Sequence, residues 1–278
     1  MKHILTALIL SSPLVLGQAA DMSPAKDAVP LFDGKTLANW KPAKGDQAFW
    51  SVKDGEILGG DLNKPVPRNV WLISDKSFEN FELTFSVKIT DGGGPGLKNS
   101  GVQVRSLPIK KSVCGYQIDA GPTHDKRVIN DGLGYWGNIW DEHRRGPLVT
   151  AMNQDKLMKS IKQFGGWNHY KVICNGTHIK TWINGILAHD YTETNNKIAA
   201  DGILALQAHS GGKFLVHFKD IMIKELPATA GSPKWTDEGI IKGRVKRAKK
   251  KKATNPPSNH WFNKSPAKHR LLGSASLI

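Results

Sequence analysis

Apolar and polar residues alternate along much of this chain with a period of two. The run Phe81-Glu82-Leu83-Thr84-Phe85-Ser86-Val87-Lys88-Ile89 keeps that period for nine residues, which predicts a strand with one buried face. Tyr170–Cys174, Thr177–Ile183 and Ile186–His189 read as three more strands, separated by Asn175-Gly176 and Asn184-Gly185. Asn-Gly pairs tolerate the positive φ angles of tight hairpins. Asp54-Gly55 plays the same part between Trp50-Ser51-Val52 and Glu56-Ile57-Leu58. Ile203–Ala208 and Phe214–Ile223 complete the series, joined by Gly211-Gly212. Only Gln154–Gln163 has helical character, and it is short. No internal repeat is visible, which argues against a propeller. The pattern predicts an all-β fold of two packed antiparallel sheets over residues 30–226.

The two ends depart from that pattern. Met1-Lys2-His3 leads into Ile4–Leu10 and Leu14-Val15-Leu16, followed by Gly17-Gln18-Ala19-Ala20. One basic residue, a short apolar stretch and small residues at its close predict a signal peptide over 1–20 and a periplasmic or secreted protein. Ser11-Ser12-Pro13 interrupts the stretch well short of the ~20 residues a membrane span needs. From Pro227 onward the composition is that of a linker, and Lys242–Lys252 then carries eight basic residues in eleven. Residues 227–278 therefore read as a disordered basic tail. It is either an electrostatic tether to an anionic membrane or polysaccharide, or a solvated extension.

That tail changes the meaning of the net charge. The chain of 278 residues carries 39 Lys and Arg against 24 Asp and Glu, a formal +15. Residues 231–278 alone account for +10, while residues 21–230 are only +4. A near-neutral body gives no basic face for nucleic acid, so none is expected as partner. The two cysteines, Cys114 and Cys174, cannot build a disulfide scaffold or a four-thiolate zinc site, though export would permit one bond between them.

One region concentrates chemistry. Gly115-Tyr116-Gln117-Ile118-Asp119-Ala120-Gly121 precedes Gly134-Tyr135-Trp136-Gly137-Asn138-Ile139-Trp140-Asp141-Glu142-His143-Arg144-Arg145-Gly146, with three aromatic rings, two acids, a His and two Arg in thirteen positions. Rings beside carboxylates and amides suit sugars, whose apolar faces stack while their hydroxyls take fixed hydrogen bonds. The same composition also suits a loop that packs its Trp residues and pairs its own charges.

Several motifs here have a known order. Leu31-Phe32-Asp33-Gly34-Lys35-Thr36-Leu37-Ala38-Asn39-Trp40 resembles the opening of the 3-keto-disaccharide hydrolase family. Trp50–Gly55, Phe81-Glu82-Leu83, Asn99–Arg105, Gly115–Asp119, Tyr135-Trp136-Gly137 with Asp141–Arg145, Trp167-Asn168, Thr181–Gly185, Gly202–His209 and Phe218–Ile221 follow in the family's sequence. The resemblance implies a concanavalin A-like jelly roll and cleavage of glycosidic bonds in sugars oxidised at C3. A C3 ketone acidifies the C2 hydrogen, so a base can form an enolate that expels the C1 substituent before water adds back. Such a site needs a base, donors at the ketone and an acid for the leaving oxygen. The alternative is a non-catalytic carbohydrate-binding module of the same fold.

Asp119 is the first candidate for the base, or for a metal ligand, with a turn cap as its structural alternative. Arg105 is a candidate to hold the ketone, or to pair with Asp119. Of Asp141 and Glu142, one is expected to face the sugar with Arg145, and the other to pair with Arg144. His209 could shuttle a proton, and Gln207 shares its face. Gln117, Trp136 and Trp140 complete the binding set. No cofactor is indicated with certainty. Lectin-type sandwiches often bind calcium, which keeps a divalent cation open with Asp119, Glu142, His143 and His209 as donors.

Overall fold

The computed structural model describes residues 19–122 and 134–236. The expected signal segment lies outside these residues up to position 18, as does the tail from 237 onward. The strands are β1 (Val29–Pro30), β2 (Trp40–Pro42), β3 (Trp50–Lys53), β4 (Glu56–Asp61), β5 (Val70–Phe78), β6 (Phe81–Asp91), β7 (Ser100–Ile109) and β8 (Ser112–Ala120). They continue with β9 (Ile139–Glu142), β10 (Gly146–Val149), β11 (Asn168–Asn175), β12 (His178–Ile183), β13 (Ile186–Thr192), β14 (Gly202–Ala208) and β15 (Phe214–Glu225). A single α-helix, α1 (Gln154–Ser160), interrupts them among the described residues.

The strands form two antiparallel sheets. The first runs β13-β12-β11-β6-β15-β4-β3, with β1 added along β15, and the second runs β10-β9-β8-β7-β14-β5-β2. This is the concanavalin A-like jelly roll. Period-two patterning builds it directly. Leu83, Phe85, Val87 and Ile89 of β6 turn inward and meet Val102 and Val104 of β7, Tyr116 and Ile118 of β8, and Leu204 and Leu206 of β14 in one core. Each such side chain contributes on the order of 1.5–3 kcal/mol by leaving water. Phe85 stacks on Tyr170 with ring centroids 4.8 Å apart.

The hairpins follow the turn signals with one shift. Asp54 (φ 51°) and Asn184 (φ 49°) open their turns in the left-handed region, as their Gly neighbours suggest. The β11–β12 turn instead centres on Gly176-Thr177, leaving Asn175 in the strand paired with His178. Cys114 and Cys174 are both buried and are not joined by a disulfide.

Residues 227–236 are exposed as far as Gly231 but tied to the body. Asn80 Nδ2 donates to the Pro227 carbonyl, Ala200 N donates to the Pro233 carbonyl, and Lys234 pairs with Glu79. Trp235 is buried beside Cys114 and Ala199, and its ring nitrogen donates to the Arg105 carbonyl at 3.1 Å. A large aromatic with its one polar atom satisfied anchors the segment, so the folded body extends past residue 226.

Candidate active site

The second sheet has a polar outer face. Because Val102, Val104, Tyr116, Ile118 and Leu206 face the core, their neighbours Gly101, Gln103, Gln117, Asp119 and Gln207 face away from it. Register places Gln207 of β14 opposite Gly101 of β7, and Gly101 opposite Asp119 of β8. Gly101 is required there. A Cβ at this position would lie 2.7 Å from Gln117 Cγ, whose side chain crosses the gap. From there Gln117 Nε2 donates to Asp119 Oδ1 at 2.6 Å and to Gln207 Oε1 at 3.2 Å.

Asp119 is held by its backbone. Its N–H donates to the Asn138 carbonyl, and its own carbonyl accepts from Gly137 N and from the Tyr170 hydroxyl. The aromatic loop is thereby pinned to the end of β8. Around this point Asn69, Asn99, Gln117, Asp119, Tyr135 and Gln207 close on Trp140, Glu142 and His209 to line a cleft of about 220 Å³.

The electrostatics of the cleft set its acids and bases apart. Burial pushes the Asp119 carboxyl well above the usual carboxylate range; the Gln117 N–H opposes this and the charge of Glu142 adds to it. His209 is lowered by burial, against the pull of the Ser210 carbonyl that takes its Nδ1 at 2.8 Å. With Nδ1–H donating to a carbonyl, Nε2 keeps its lone pair and can accept a proton. The cleft therefore holds a carboxyl with unusually high proton affinity and a neutral imidazole.

Other candidates of the sequence reading lie elsewhere. Arg105 does not reach the cleft. A bulge in β7 between Val104 and Leu107 places Arg105 at φ 48°, which breaks the alternation that would have set it beside Gln103. Its guanidinium instead donates to the carbonyls of Glu79 and Gly176 and to Asn80 Oδ1, so no salt bridge to Asp119 forms. Trp136 is in the core with its ring nitrogen on Gln163, and does not present a stacking face.

Asp141 and Glu142, adjacent on β9, point to opposite faces. Glu142 lines the cleft, while Asp141 is buried on the core side between Arg144 and Arg145, both at 2.5 Å. Arg145 also binds Glu193 at 2.7 Å, and Glu193 accepts from the hydroxyls of Tyr116 and Tyr191. Arg144 rests on the rings of Tyr116 and Trp235. Asp141 and Arg145 thus pair with each other away from the cleft, and Arg144 pairs with Asp141. The cleft adds Asn69, Asn99 and Tyr135 to the residues chosen from sequence. Asn99 and Tyr135 sit inside the motifs quoted above, whereas nothing local singles out Asn69. Among the described residues no group of three or more His, Cys, Asp or Glu is arranged to hold a metal ion.

The outer face of this jelly-roll sheet thus carries a small cleft lined by acids, amides and one Trp. The chain belongs to the family of 3-keto-alpha-glucoside-1,2-lyase-like domains, whose model matches residues 27–224. A 3-keto-disaccharide hydrolase of Bacteroides thetaiotaomicron is 26% identical over 162 residues, which cover 52% of this chain and 51% of that protein. The match thus spans about half the length of this curated relative. Among solved structures, a candidate glycosyl hydrolase of Parabacteroides distasonis is 23% identical with a TM-score of 0.51, over 72% of this chain and 99% of that one. A carbohydrate recognition domain in its potassium-bound form is 9% identical with a TM-score of 0.50, over 72% of this chain and 97% of that one. At these identities the two structures show a shared fold.

Proposed function

We propose that this chain is an exported enzyme that cleaves the glycosidic bond of 3-keto-glycosides by elimination and hydration. The observation that carries the reading is the cleft itself, where Asp119, Glu142 and His209 converge beside Trp140. The family membership and the name of the curated relative support it, and the leader-like N-terminus supports export.

Asp119 takes the C2 proton. Its raised proton affinity makes it a stronger base than an ordinary carboxylate, suited to a carbon acid. As the C2–H and C1–O bonds break, a C1=C2 double bond conjugated with the ketone forms, and Glu142 protonates the leaving oxygen. Water then adds across that bond, guided by His209 Nε2, and returns the keto sugar. Gln207 has its oxygen occupied by Gln117, so its amide nitrogen is left to donate. With Asn69, Asn99 and the Tyr135 hydroxyl it holds the ketone and ring hydroxyls, while Trp140 stacks on the sugar face. The cleft is small against the roughly 300–1,000 Å³ typical of drug-sized ligands, which favours a single ring.

The test is aglycone release from a 3-keto-glucoside by the purified protein. Wild type is expected to turn over, and Asp119→Asn to lose about 10²–10⁴-fold in kcat/KM with the fold intact. Tight binding of unoxidised sugar by wild type, with no release from the keto sugar, would replace the enzyme with a lectin-like binding module.

A further inference from the structure

Behind Asp119 lies a row of buried neutral groups, of which Gln117 and Gln207 line the cleft and Gln103 and Ser106 do not. Ser106, Gln103, Gln117 and Gln207 are each no more than 3% exposed. The β7 bulge that turns Arg105 away brings Ser106 onto the outer face. Gly115 makes the room, since a Cβ there would lie 2.1 Å from Ser106 Oγ. Ser106 Oγ then donates to Gln103 Oε1 at 2.7 Å, Gln103 Nε2 to Gln117 Oε1 at 3.0 Å, and Gln117 Nε2 to Asp119 Oδ1 at 2.6 Å. Every link fixes the orientation of the next amide, and the last one presents an N–H to Asp119. That orientation suits a carboxylate.

A buried acid that takes up a proton creates a problem for such a chain. If Oδ1 acquires hydrogen, it meets the Gln117 N–H head-on, and a buried donor without an acceptor is costly. The geometry contains the remedy. Amide oxygen and nitrogen occupy nearly equivalent positions, so the same heavy atoms support the reversed chain. Asp119 O–H then donates to Gln117 Oε1, Gln117 Nε2 to Gln103 Oε1, and Gln103 Nε2 to Ser106 Oγ. The Ser106 hydroxyl has a second acceptor in place, the Val104 carbonyl at 2.9 Å. Gln207 turns likewise: where Gln117 Nε2 donates to its Oε1 at 3.2 Å, the turned Gln207 Nε2 donates to the turned Gln117 oxygen. Every side chain of the chain keeps a hydrogen-bond partner in both directions.

We propose that Ser106, Gln103 and Gln117 form a reversible hydrogen-bond chain whose amides invert together with the protonation of Asp119, keeping the buried carboxyl satisfied as both base and acid. The inference rests on the reading of Asp119 as the group that cycles a proton. Ser106 and Gln103 are positioning residues in it, since neither lines the cleft. No proton travels along the chain; the amides rotate, and the proton enters and leaves Asp119 from the cleft side. Other titratable groups face this site. They are Glu142 from β9, His209 after β14, Tyr135 in the aromatic loop, and Tyr170 from β11, whose hydroxyl binds the Asp119 carbonyl. Any of them titrating could perturb the chain, so the test must isolate Asp119.

Nuclear magnetic resonance titration of the wild-type protein does so without reference to turnover. The Asp119 side-chain carboxyl carbon and the Gln103 side-chain amide are followed together with pH. The chain requires Gln103, two links away, to respond at the Asp119 midpoint, and that response to vanish in Asp119→Asn. A Gln103 amide that stays unchanged while Asp119 titrates overturns the proposal, as does a response that persists in Asp119→Asn. Ser106→Ala supplies the direction. It leaves a buried Gln103 carbonyl short of a donor in one orientation and a buried Gln103 N–H without an acceptor in the other, and the orphaned N–H is the less tolerated. The midpoint of Asp119 should fall by about half a pH unit, roughly a threefold change in its ionisation constant. An unchanged or raised midpoint counts against the chain. Absence of glycoside cleavage alone would sink the enzymatic reading and leave these measurements standing.

Discussion

Two polar clusters occupy opposite faces of β8 and β9, and they are built on opposite principles. On the core side, Asp141 and Glu193 are surrounded by cations and hydroxyls: Arg144, Arg145, Tyr116 and Tyr191. On the outer side, Asp119 is as deeply buried but has an amide as its side-chain hydrogen-bond partner. Pairing with cations lowers the proton affinity of an acid and commits it to one charge state. Burial beside neutral amides raises that affinity and leaves the charge state open. The first arrangement holds the sandwich edge together, and the second can do proton chemistry. Neighbouring residues, Asp141 and Glu142, fall on either side of this divide because a strand alternates its faces.

Breaking the core-side cluster should give a large loss of stability. Asp141→Ala leaves two arginines without their shared carboxylate, one of which already has Nη1 and Nη2 buried without a hydrogen-bond partner. Removing one member of a buried ion pair costs about 3–5 kcal/mol, which urea denaturation would measure. Asp119→Asn should leave stability at neutral pH unchanged or slightly higher. A loss comparable to that of Asp141→Ala would erase the distinction between the clusters.

The pH dependence of stability sharpens the contrast, because the two sides have opposite signs. Burial raises the proton affinity of Glu193, but hydrogen bonds from Arg145, Tyr116, the Asn195 N–H and Tyr191 outweigh it and hold the pKa at about 2. Its folded pKa lies below the unfolded value, so its contribution is present above pH ~4.5 and is lost as pH falls toward 2. Asp119 is raised when folded, so its contribution is present below pH ~4 and declines as pH rises through the folded value. Glu193→Gln should flatten the acid limb of a stability–pH curve, and Asp119→Asn the decline on the other side. Identical curves for wild type and both variants would contradict this assignment.

A last pair of variants separates packing from stacking at Trp136 and at Trp140 of β9. Trp136→Ala should cost about 3–5 kcal/mol of stability as a buried aromatic. Trp140→Ala should alter stability little and raise KM or the sugar dissociation constant by about tenfold, the worth of one stacking contact. Equal losses of stability would place both in the core.

Much of the outer-face site can be read from β8 alone. Gly115-Tyr116-Gln117-Ile118-Asp119 alternates, so Gln117 and Asp119 must share a face, and a polar pair opposite Tyr116 and Ile118 faces away from the core. Gln207 follows by the same reasoning on β14, and His209 one residue past its end. Arg105 does not, because a bulge one residue long reverses its direction and leaves no trace in composition. Asn69 joins the cleft only because its loop folds beside Ser210, whose N–H it accepts. Trp136 and Trp140 look alike in sequence; the bonds of Gly137 and Asn138 to Asp119 hold the loop of Trp136, while register with Gln117 sets the face of Trp140.

The β-sandwich, most of its hairpins, the family, and the placing of most of the net charge outside the recognisable domain are legible along the chain. These rest on local periodicity and local composition, which need no knowledge of distant partners. Tertiary structure decided which acids are neutralised and which remain available, which ring packs and which stacks, and that the segment through Trp235 closes on the body. Those outcomes depend on burial and on partners far away in the chain, and burial is what sets the proton affinity of a carboxyl group.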